Sequence, residues 1–550
     1  MNAKALSGEN TTHEVINQPA PLEGYNLFTT NRALRDALAF NGGAAHAGFL
    51  REMGARLGSV EMLEAGTLAN QFPPRLKTHD RYGRRIDQVE FHPAYHALMR
   101  AALNWGLHTA PWADHEPAGH VKRAAGFMLF TETEASVLCP VSMTYAVVPA
   151  LKLNPAISAE WLPKLYGRTY DPRFLPASQK TAVTMGMGMT EKQGGSDVRT
   201  NTTTAFSLGQ GEYALTGHKW FMSAPMCDAF LVLAQAPGGL TCFFLPRILA
   251  DGAVNAIQIQ RLKDKLGNQA NASAEVEFHG ARAWAVGEEG RGIPTILEMG
   301  TMTRLDCALG TSGLMRRSLA LALNHAAQRS VFGRKIAEQP LAQNVLADLA
   351  LESEAATALA LRLARAFDSA DAGEVLLRRV LTPVAKFWIC KRGAHFGQEC
   401  METLGGNGYV EENGMARLYR EMPLNSIWEG AGNIMCLDLL RALRRGPEAA
   451  QALEAELATA RGRNAAYDAA IDRLLARMTA ADLPESSARR LAQEVALAVQ
   501  ASLLLRHAPE FVADAFCDSR LAGDWGDTFG SLAPRHDFEA IIARAMPRDA

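Results

Sequence analysis

Glu429, within the run SIWEGAGNIM at residues 426–435, is a carboxylate set between an indole and a series of small residues. A carboxylate among apolar groups loses hydration, which lifts its pKa and makes it a stronger base when ionised. Ile427 and Trp428 offer such surroundings. A glutamate at a turn before a helix can equally be a capping or surface residue, so the residue type alone leaves both roles open. A second stretch, GMGMTEKQGGSDV at residues 186–198, carries binding rather than catalytic character. Its glycines allow a ligand close to the backbone, and Thr190 and Ser196 bring hydroxyls beside free N–H groups, which suits a phosphate or the edge of a flavin. Further on, GHKWFMS places Trp220 and Phe221 where they can cover a planar ring, although aromatics in a strand more often pack within their sheet. A Rossmann site is not expected: MGMGMT at residues 185–190 contains GxG, but Glu191 stands where the third glycine belongs.

The elements that must position these residues follow an α, β, α order. Segments such as RALRDALAF and HPAYHALMRAALNWG repeat apolar residues at spacings of three and four, which predicts a helical N-terminal domain over residues 1–180. Short β-rich runs, EYALTGHKWFM, FLVLA, CFFLP and AEVEF, punctuated by APGG, HG and GEEGRG, predict a β domain over 181–290. Helical periodicity returns in GLMRRSLALALNHAAQR and LAQNVLADLALESEAATALALRLARAF, predicting a helical bundle over 291–443. Residues 444–550, rich in Ala, Leu, Arg, Glu and Asp, read as an added helical domain rather than a linker. The fold class is therefore α+β, mainly α.

With 550 residues and 48% of them hydrophobic, the chain can bury a large multidomain core. A formal net charge of −2 gives no overall attraction to nucleic acid or anionic membrane, so such a partner would need a local basic surface. Eight cysteines without a CxxC pair or zinc-ligand spacing point to reduced, buried thiols. The start MNAKALSGENTTHEVINQ lacks a signal-peptide core and no segment reads as a membrane span, so a cytoplasmic location is expected. The cluster His108, Asp114, His115, Glu116 and His120 holds metal-ligand types at irregular spacing, interrupted by Pro and Gly, and reads as a solvated polar loop with no metal site.

Taken in order, the motifs resemble the acyl-CoA dehydrogenase family across nearly the whole chain up to residue 443. The family's TEPGAGSD appears as TEKQGGSD at 190–197, its KxWIT strand as KWFM, and RxxFG as RSVFG at 329–333. FGGNGY appears as LGGNGY at 404–409, and YEGT as WEGA at 428–431. The resemblance implies an N-terminal helical domain, a central β domain and a C-terminal four-helix bundle, usually in a homotetramer that binds FAD between domains and subunits. By position, Met189, Thr190, Gly195 and Ser196 would meet the flavin or its phosphates, and Trp220, Phe221 and Met222 would flank the isoalloxazine. Arg329, Phe332, Gly405 and Gly406 would hold the adenine-nucleotide portion, from a neighbouring subunit. Ile427, Trp428, Gly430, Gly432 and Asn433 would complete the cofactor site around Glu429, the family's usual catalytic base. That base removes the proton α to an acyl-CoA thioester while the flavin takes hydride from the β carbon, two steps that depend on placement. Some members carry the base just before an arginine matching Arg304; here Thr303 stands there, which leaves Glu429 as the base.

A closer resemblance is to the bacterial branch of the family associated with the adaptive response to DNA alkylation. It rests on MGMGMTEKQGGSDV, GHKWF, QRLKDKLGN at 260–268, AKFWICKRG at 385–393 and NSIWEGAGNIMCLD at 425–438, with the helical extension matching less distinctly. Several positions depart from the dehydrogenase pattern. Met222 replaces the hydroxyl residue expected near the flavin, Glu402 and Pro340 replace glutamines, and Thr301 replaces the acidic companion of the substrate-side Arg304. FAD binding is expected to persist and fast dehydrogenation is not. Branch membership also implies double-stranded DNA as a partner. Residues 441–550 hold 14 Arg and no Lys against 16 Asp plus Glu, so only the opening RALRRG is locally basic, with Arg441, Arg444 and Arg445 as DNA candidates. Three functions stay open: a DNA-protecting or alkylating-agent-detoxifying flavoprotein with at most weak, isovaleryl-CoA-like dehydrogenase activity; an efficient dehydrogenase of a branched or unusual acyl-CoA; and a non-catalytic DNA shield with a structural flavin.

Overall fold

The helices of the N-terminal region begin where side chains can satisfy their free N–H groups. Asn31 caps α1 (Arg32–Phe40) through the N–H of Leu34, and Ser59 caps α3 (Val60–Gln71) through Met62. Between them lies α2 (Ala47–Leu57), and after them α4 (Pro93–Asn104), the short α5 (Ala110–Ala113), α6 (Gly119–Thr133), α7 (Leu138–Leu151) and α8 (Pro155–Leu165). The computed structural model describes residues 12–478 and 483–548; the first eleven residues, on which part of the leader reading rests, lie outside them.

Two expectations for this region need correction. It is not wholly helical, because β1 (Arg75–His79) and β2 (Arg85–Glu90) form an antiparallel hairpin. RLKTH alternates exposed Arg75, Lys77 and His79 with half-buried Leu76 and Thr78, a period of two that helical spacing arguments overlook. The polar cluster is also not a solvated loop. His108 and His120 are buried, the first bonded to the Gly167 carbonyl and the second to the Tyr145 hydroxyl. Burial pushes them down to about 4 and about 3, so both rings are neutral at pH 7. Asp114 pairs with Arg168 and Glu116 with Lys122.

The β region contains β3 (Met185–Gly188), β4 (Thr204–Gly209), β5 (Glu212–Ser223), β6 (Ala229–Ala236), β7 (Gly239–Pro246), β8 (Ile257–Leu262) and β9 (Ser273–Val286). Strands β6, β4, β5, β9 and β7 pair around a closed ring, while β3 runs parallel to β6 and β8 joins β9. Closure leaves few bare edges, and the strand residues facing inward form one apolar cluster with α7, α8 and Met299.

The bundle consists of α9 (Gly292–Gln328), α10 (Pro340–Phe367), α11 (Ala372–Thr403) and α14 (Gly432–Arg444). A small hairpin, β10 (Ser330–Val331) with β11 (Arg334–Lys335), and the short helices α12 (Gly406–Tyr409) and α13 (Met415–Glu421) fill its connections. The added region supplies α15 (Glu448–Ala458), α16 (Ala465–Met478), α17 (Ala488–His507), α18 (Glu510–Phe516) and α19 (Phe538–Ala545). Its buried residues share one apolar cluster with the bundle and the N-terminal helices. All eight cysteines are buried and free, and no helix among the described residues is long and apolar enough to cross a membrane.

Fully buried Asp348 on α10 anchors the added region. It accepts hydrogen bonds from Arg520, from the indole N–H of Trp525 at 2.8 Å and from the N–H of Gly530 at 2.9 Å. Removing a buried ion-pair partner strands the remaining charge and donors, at a cost of about 3–5 kcal/mol. Asp348→Ala should therefore lower the denaturant midpoint markedly and loosen α18 and α19 to protease. Arg535→Ala, which breaks an exposed pairing with Asp518 and Asp524, should leave the midpoint unchanged.

Candidate active site

The glycine-rich loop is tied to the sheet by a fully buried ion pair. Lys219 on β5 donates from Nζ to Glu191 Oε1 at 2.7 Å and to the Leu233 carbonyl at 2.7 Å. Glu191 also accepts from the N–H groups of Thr202 and Thr203, which folds residues 190–203 back on themselves. The Trp220 N–H then reaches the Thr190 carbonyl at 2.8 Å, joining two of the motifs. Met189, half-buried, has its carbonyl held by Asn201. Beyond this anchor Gly195 and Ser196 stay exposed, and among the described residues their N–H groups enter no hydrogen bond. A Cβ at Gly195 would lie 2.6 Å from the Thr190 hydroxyl, so only glycine keeps that hydroxyl clear. Met222 is buried, Phe221 is half exposed, and Lys263 sits 3.2 Å above the centroid of the Trp220 ring.

Glu429 lies on a turn with unusual backbone. Its φ is +60° and that of Gly430 is +102°. A glutamate in the left-handed region costs about 1–2 kcal/mol relative to ordinary backbone, so the turn needs outside support. Two cations provide it: Arg304 Nε on α9 donates to the Glu429 carbonyl at 3.0 Å, and buried Lys386 Nζ on α11 donates to the Gly430 carbonyl at 2.7 Å. A Cβ at Gly430 would come within 2.6 Å of Met435, which together with its φ demands glycine.

The Glu429 carboxylate does not cap the following helix, whose N-cap is Ala431 with no side-chain bond. Instead Oε2 accepts from the Thr303 hydroxyl at 2.7 Å. Burial pushes the carboxyl above its ordinary value, opposed by the Thr303 hydrogen bond and the charges of Arg304 and Lys386. Trp428 is oriented by its N–H on Asn425 at 2.9 Å. Trp428, Met189 and Met302 pack against the same apolar cluster that contains Met222, so the Glu429 turn and the loop motifs border one cluster. Gly432 is buried at the start of α14; Ile427 and Asn433 are exposed, and Asn433 accepts from Arg489 of the added region at 2.8 Å.

Other candidates lie elsewhere. Arg329 donates to the Asn17 carbonyl at 2.9 Å, Phe332 is fully exposed at φ +51°, and Gly405 and Gly406 are exposed. Arg441, Arg444 and Arg445 are exposed at the C-terminal end of α14; Arg444 donates to the Leu483 carbonyl at 3.0 Å, whereas Arg441 has no acidic partner among the described residues. Sequence reasoning missed three groups around Glu429: Thr303 as its donor, Lys386 as its backbone anchor, and Asp438, which takes Arg304 Nη1 at 3.1 Å and Arg379 Nη2 at 2.6 Å. Asp438 thus supplies the acidic companion of Arg304 that Thr301 cannot be. Only the motif context of Lys386 and Asp438, in AKFWICKRG and NSIWEGAGNIMCLD, signalled them in advance.

Comparison with known proteins places this geometry. Residues 17–172 match the model for the adaptive response protein AidB N-terminal domain, 186–281 the acyl-CoA dehydrogenase middle domain and 290–444 the acyl-CoA dehydrogenase C-terminal domain. The chain is 49% identical to AidB of Escherichia coli (strain K12), over 93% of this chain and 94% of that one. It belongs to the acyl-CoA dehydrogenase family. Caenorhabditis elegans ACDH-11, solved in complex with C11-CoA, superposes with a TM-score of 0.85 at 28% identity, covering 95% of each chain. An acyl-CoA dehydrogenase from Bacillus anthracis complexed with FAD shares the fold at 19% identity and a TM-score of 0.66, over 82% of this chain and 83% of that one. The family implies a flavin cofactor, and the exposed Gly195 and Ser196 N–H groups beside the Thr190 hydroxyl fit its polar edge.

The Glu191–Lys219 pair should be visible in acid. Lys219 and its other donors hold the Glu191 carboxyl well below the ordinary carboxylate range, to about 2. A carboxyl lowered in the folded state stabilises it above the unfolded value, and this contribution fades as pH falls from about 4.5 toward 2. Glu191→Gln should flatten the decline in stability over that window, measured by urea unfolding as a function of pH. It should also weaken flavin retention.

Proposed function

We propose that this protein is an FAD-containing acyl-CoA-dehydrogenase-type flavoprotein of the response to DNA alkylation, which binds double-stranded DNA and protects it, and which retains weak dehydrogenase chemistry. The observation that carries the chemical part is the Glu429 carboxylate, raised in pKa and held by one neutral donor beside the apolar cluster that the cofactor motifs border. In this reading Glu429 takes the proton α to the thioester carbonyl. When bound, FAD supplies the hydride acceptor for the β carbon. Met189, Thr190, Gly195 and Ser196 present backbone and hydroxyl groups to the cofactor, and Trp220, Phe221 and Met222 flank it. Arg304 is taken up by Glu429 and Asp438 within its own chain, and buried Met222 offers no hydroxyl, both of which favour weak over efficient turnover.

The DNA part rests on the sequence resemblance and on exposed Arg441, Arg444 and Arg445. Near-neutral charge in the added region favours modest, salt-sensitive binding to phosphates without base readout. A homotetramer would bring several copies of these arginines to one surface.

Anaerobic titration of the flavin-loaded protein with a panel of acyl-CoA thioesters, C11-CoA and isovaleryl-CoA included, tests the chemical part. Slow bleaching of the flavin band, lost in Glu429→Gln, is expected. Its rate should rise with pH through a midpoint above that of an ordinary glutamate, because the ionised carboxylate is the active form. Rapid, complete bleaching would favour an efficient dehydrogenase, and a protein with no flavin spectrum after supplementation would overturn the proposal.

Fluorescence anisotropy with duplex DNA tests the other part. Arg441→Ala should weaken binding and reduce its salt dependence, while Glu429→Gln should leave binding intact. Equal affinity of Arg441→Ala and the unaltered protein would remove the proposed contact.

A further inference from the structure

An arginine facing a carboxylate lowers its pKa by about 1–3 units, which would weaken Glu429 as a base. The charge of Arg304 already opposes the rise, but its guanidinium makes its hydrogen bonds elsewhere and forms no ion pair with the Glu429 side chain. Nε lies on the Glu429 backbone carbonyl at 3.0 Å, and Nη1 on Asp438 Oδ2 at 3.1 Å. Arg379 grips the same aspartate from α11, with Nη2 on Oδ1 at 2.6 Å, so Asp438 is itself fixed. The cation therefore holds the Glu429 backbone without bonding to its side chain.

The carboxylate receives its hydrogen bond from a neutral group instead. The Thr303 hydroxyl has one hydrogen and two acceptors in reach, Glu429 Oε2 at 2.7 Å and the Gly300 carbonyl at 3.1 Å. When Glu429 is ionised, that hydrogen belongs on Oε2. When Glu429 holds a proton, its own O–H donates to the Thr303 oxygen, which turns its hydrogen to Gly300. Both states are bonded without movement of a heavy atom.

We propose that Asp438 and Thr303 are positioning residues that set the basicity of Glu429: Asp438 keeps Arg304 off the carboxylate, and Thr303 serves the carboxylate in both protonation states. This deepens the reading of Glu429 as the base and rests on it. The other groups facing Glu429 leave the assignment intact. Lys386 on α11 is directed at the Gly430 carbonyl, and Cys307 on α9 and Cys139 on α7 are kept as neutral thiols by burial, the latter pushed up to about 12.

The test is an infrared titration of the flavin-loaded protein with isotope-labelled glutamate side chains, the Glu429 signal being the one lost in Glu429→Gln. Asp438→Asn should lower the Glu429 midpoint by about one unit or more as Arg304 swings onto the carboxylate. That drop should largely vanish when Arg304→Gln is also present, which separates a redirected arginine from simple loss of a negative charge. Thr303→Val should raise the midpoint and Thr303→Ser should restore it. General loosening of the fold would not move the midpoint in opposite directions, and the Thr303 pair decides its half if Asp438→Asn does not fold. Unchanged midpoints, or a drop that persists without Arg304, would overturn the proposal. Flavin reduction by acyl-CoA that is indifferent to Glu429→Gln would instead remove the reading of Glu429 as the base, whatever the titration shows.

Discussion

The site depends on a turn whose backbone suits Gly430 but not Glu429. Glu429 and Gly430 both carry positive φ, and the carbonyls they expose are held by Arg304 and Lys386, cations from two different helices of the bundle. Hydrogen bonds to charged donors contribute about 1.5–3 kcal/mol each, enough to offset the cost of a glutamate in left-handed backbone. The strain has a purpose in the geometry, because this backbone delivers the carboxylate to Thr303 and the edge of the apolar cluster rather than to the end of α14.

Helix α9 carries that arrangement between domains. At its start Gly292 packs so closely on β7 that an added Cβ would lie 2.6 Å from the Thr241 carbonyl carbon. Met299 enters the cluster of the sheet, and one turn later Thr303 and Arg304 meet Glu429. A rigid element thus fixes the distance between the loop anchored by Glu191 and Lys219 and the turn anchored by Arg304 and Lys386. The added C-terminal region joins the same framework through Asp348 and touches the turn segment through Arg489 and Asn433.

Much of this was legible in the sequence, and what was not has a physical cause. The long helices of the bundle announce themselves by apolar spacing over many turns, and RALRDALAF coincides with α1. Strand β5 is legible in EYALTGHKWFM, and the buried Glu191 lies in the very motif that resembles the family's loop. The β1–β2 hairpin was hidden by brief alternation in a polar stretch between two helices. His108 and His120 read as solvated because residue type says nothing of the neighbours that bury them. Thr303 and Asp438 were beyond local reasoning altogether: Thr303 meets Glu429 across 126 positions and Asp438 meets Arg304 across 134. Thr303, whose residue type cannot act as a base, is the residue that holds the Glu429 carboxylate.

The proposed role of Glu429 is to take a proton from the carbon next to a thioester carbonyl. The most direct measurement is exchange of that proton with solvent, followed by NMR of an acyl-CoA incubated with the flavin-loaded protein in deuterated buffer, since exchange reports proton removal whether or not hydride transfer follows. Deuterium should appear at the α carbon with the unaltered protein and not with Glu429→Gln. Equal exchange by both proteins, or none by either with a thioester shown to bind, would contradict it.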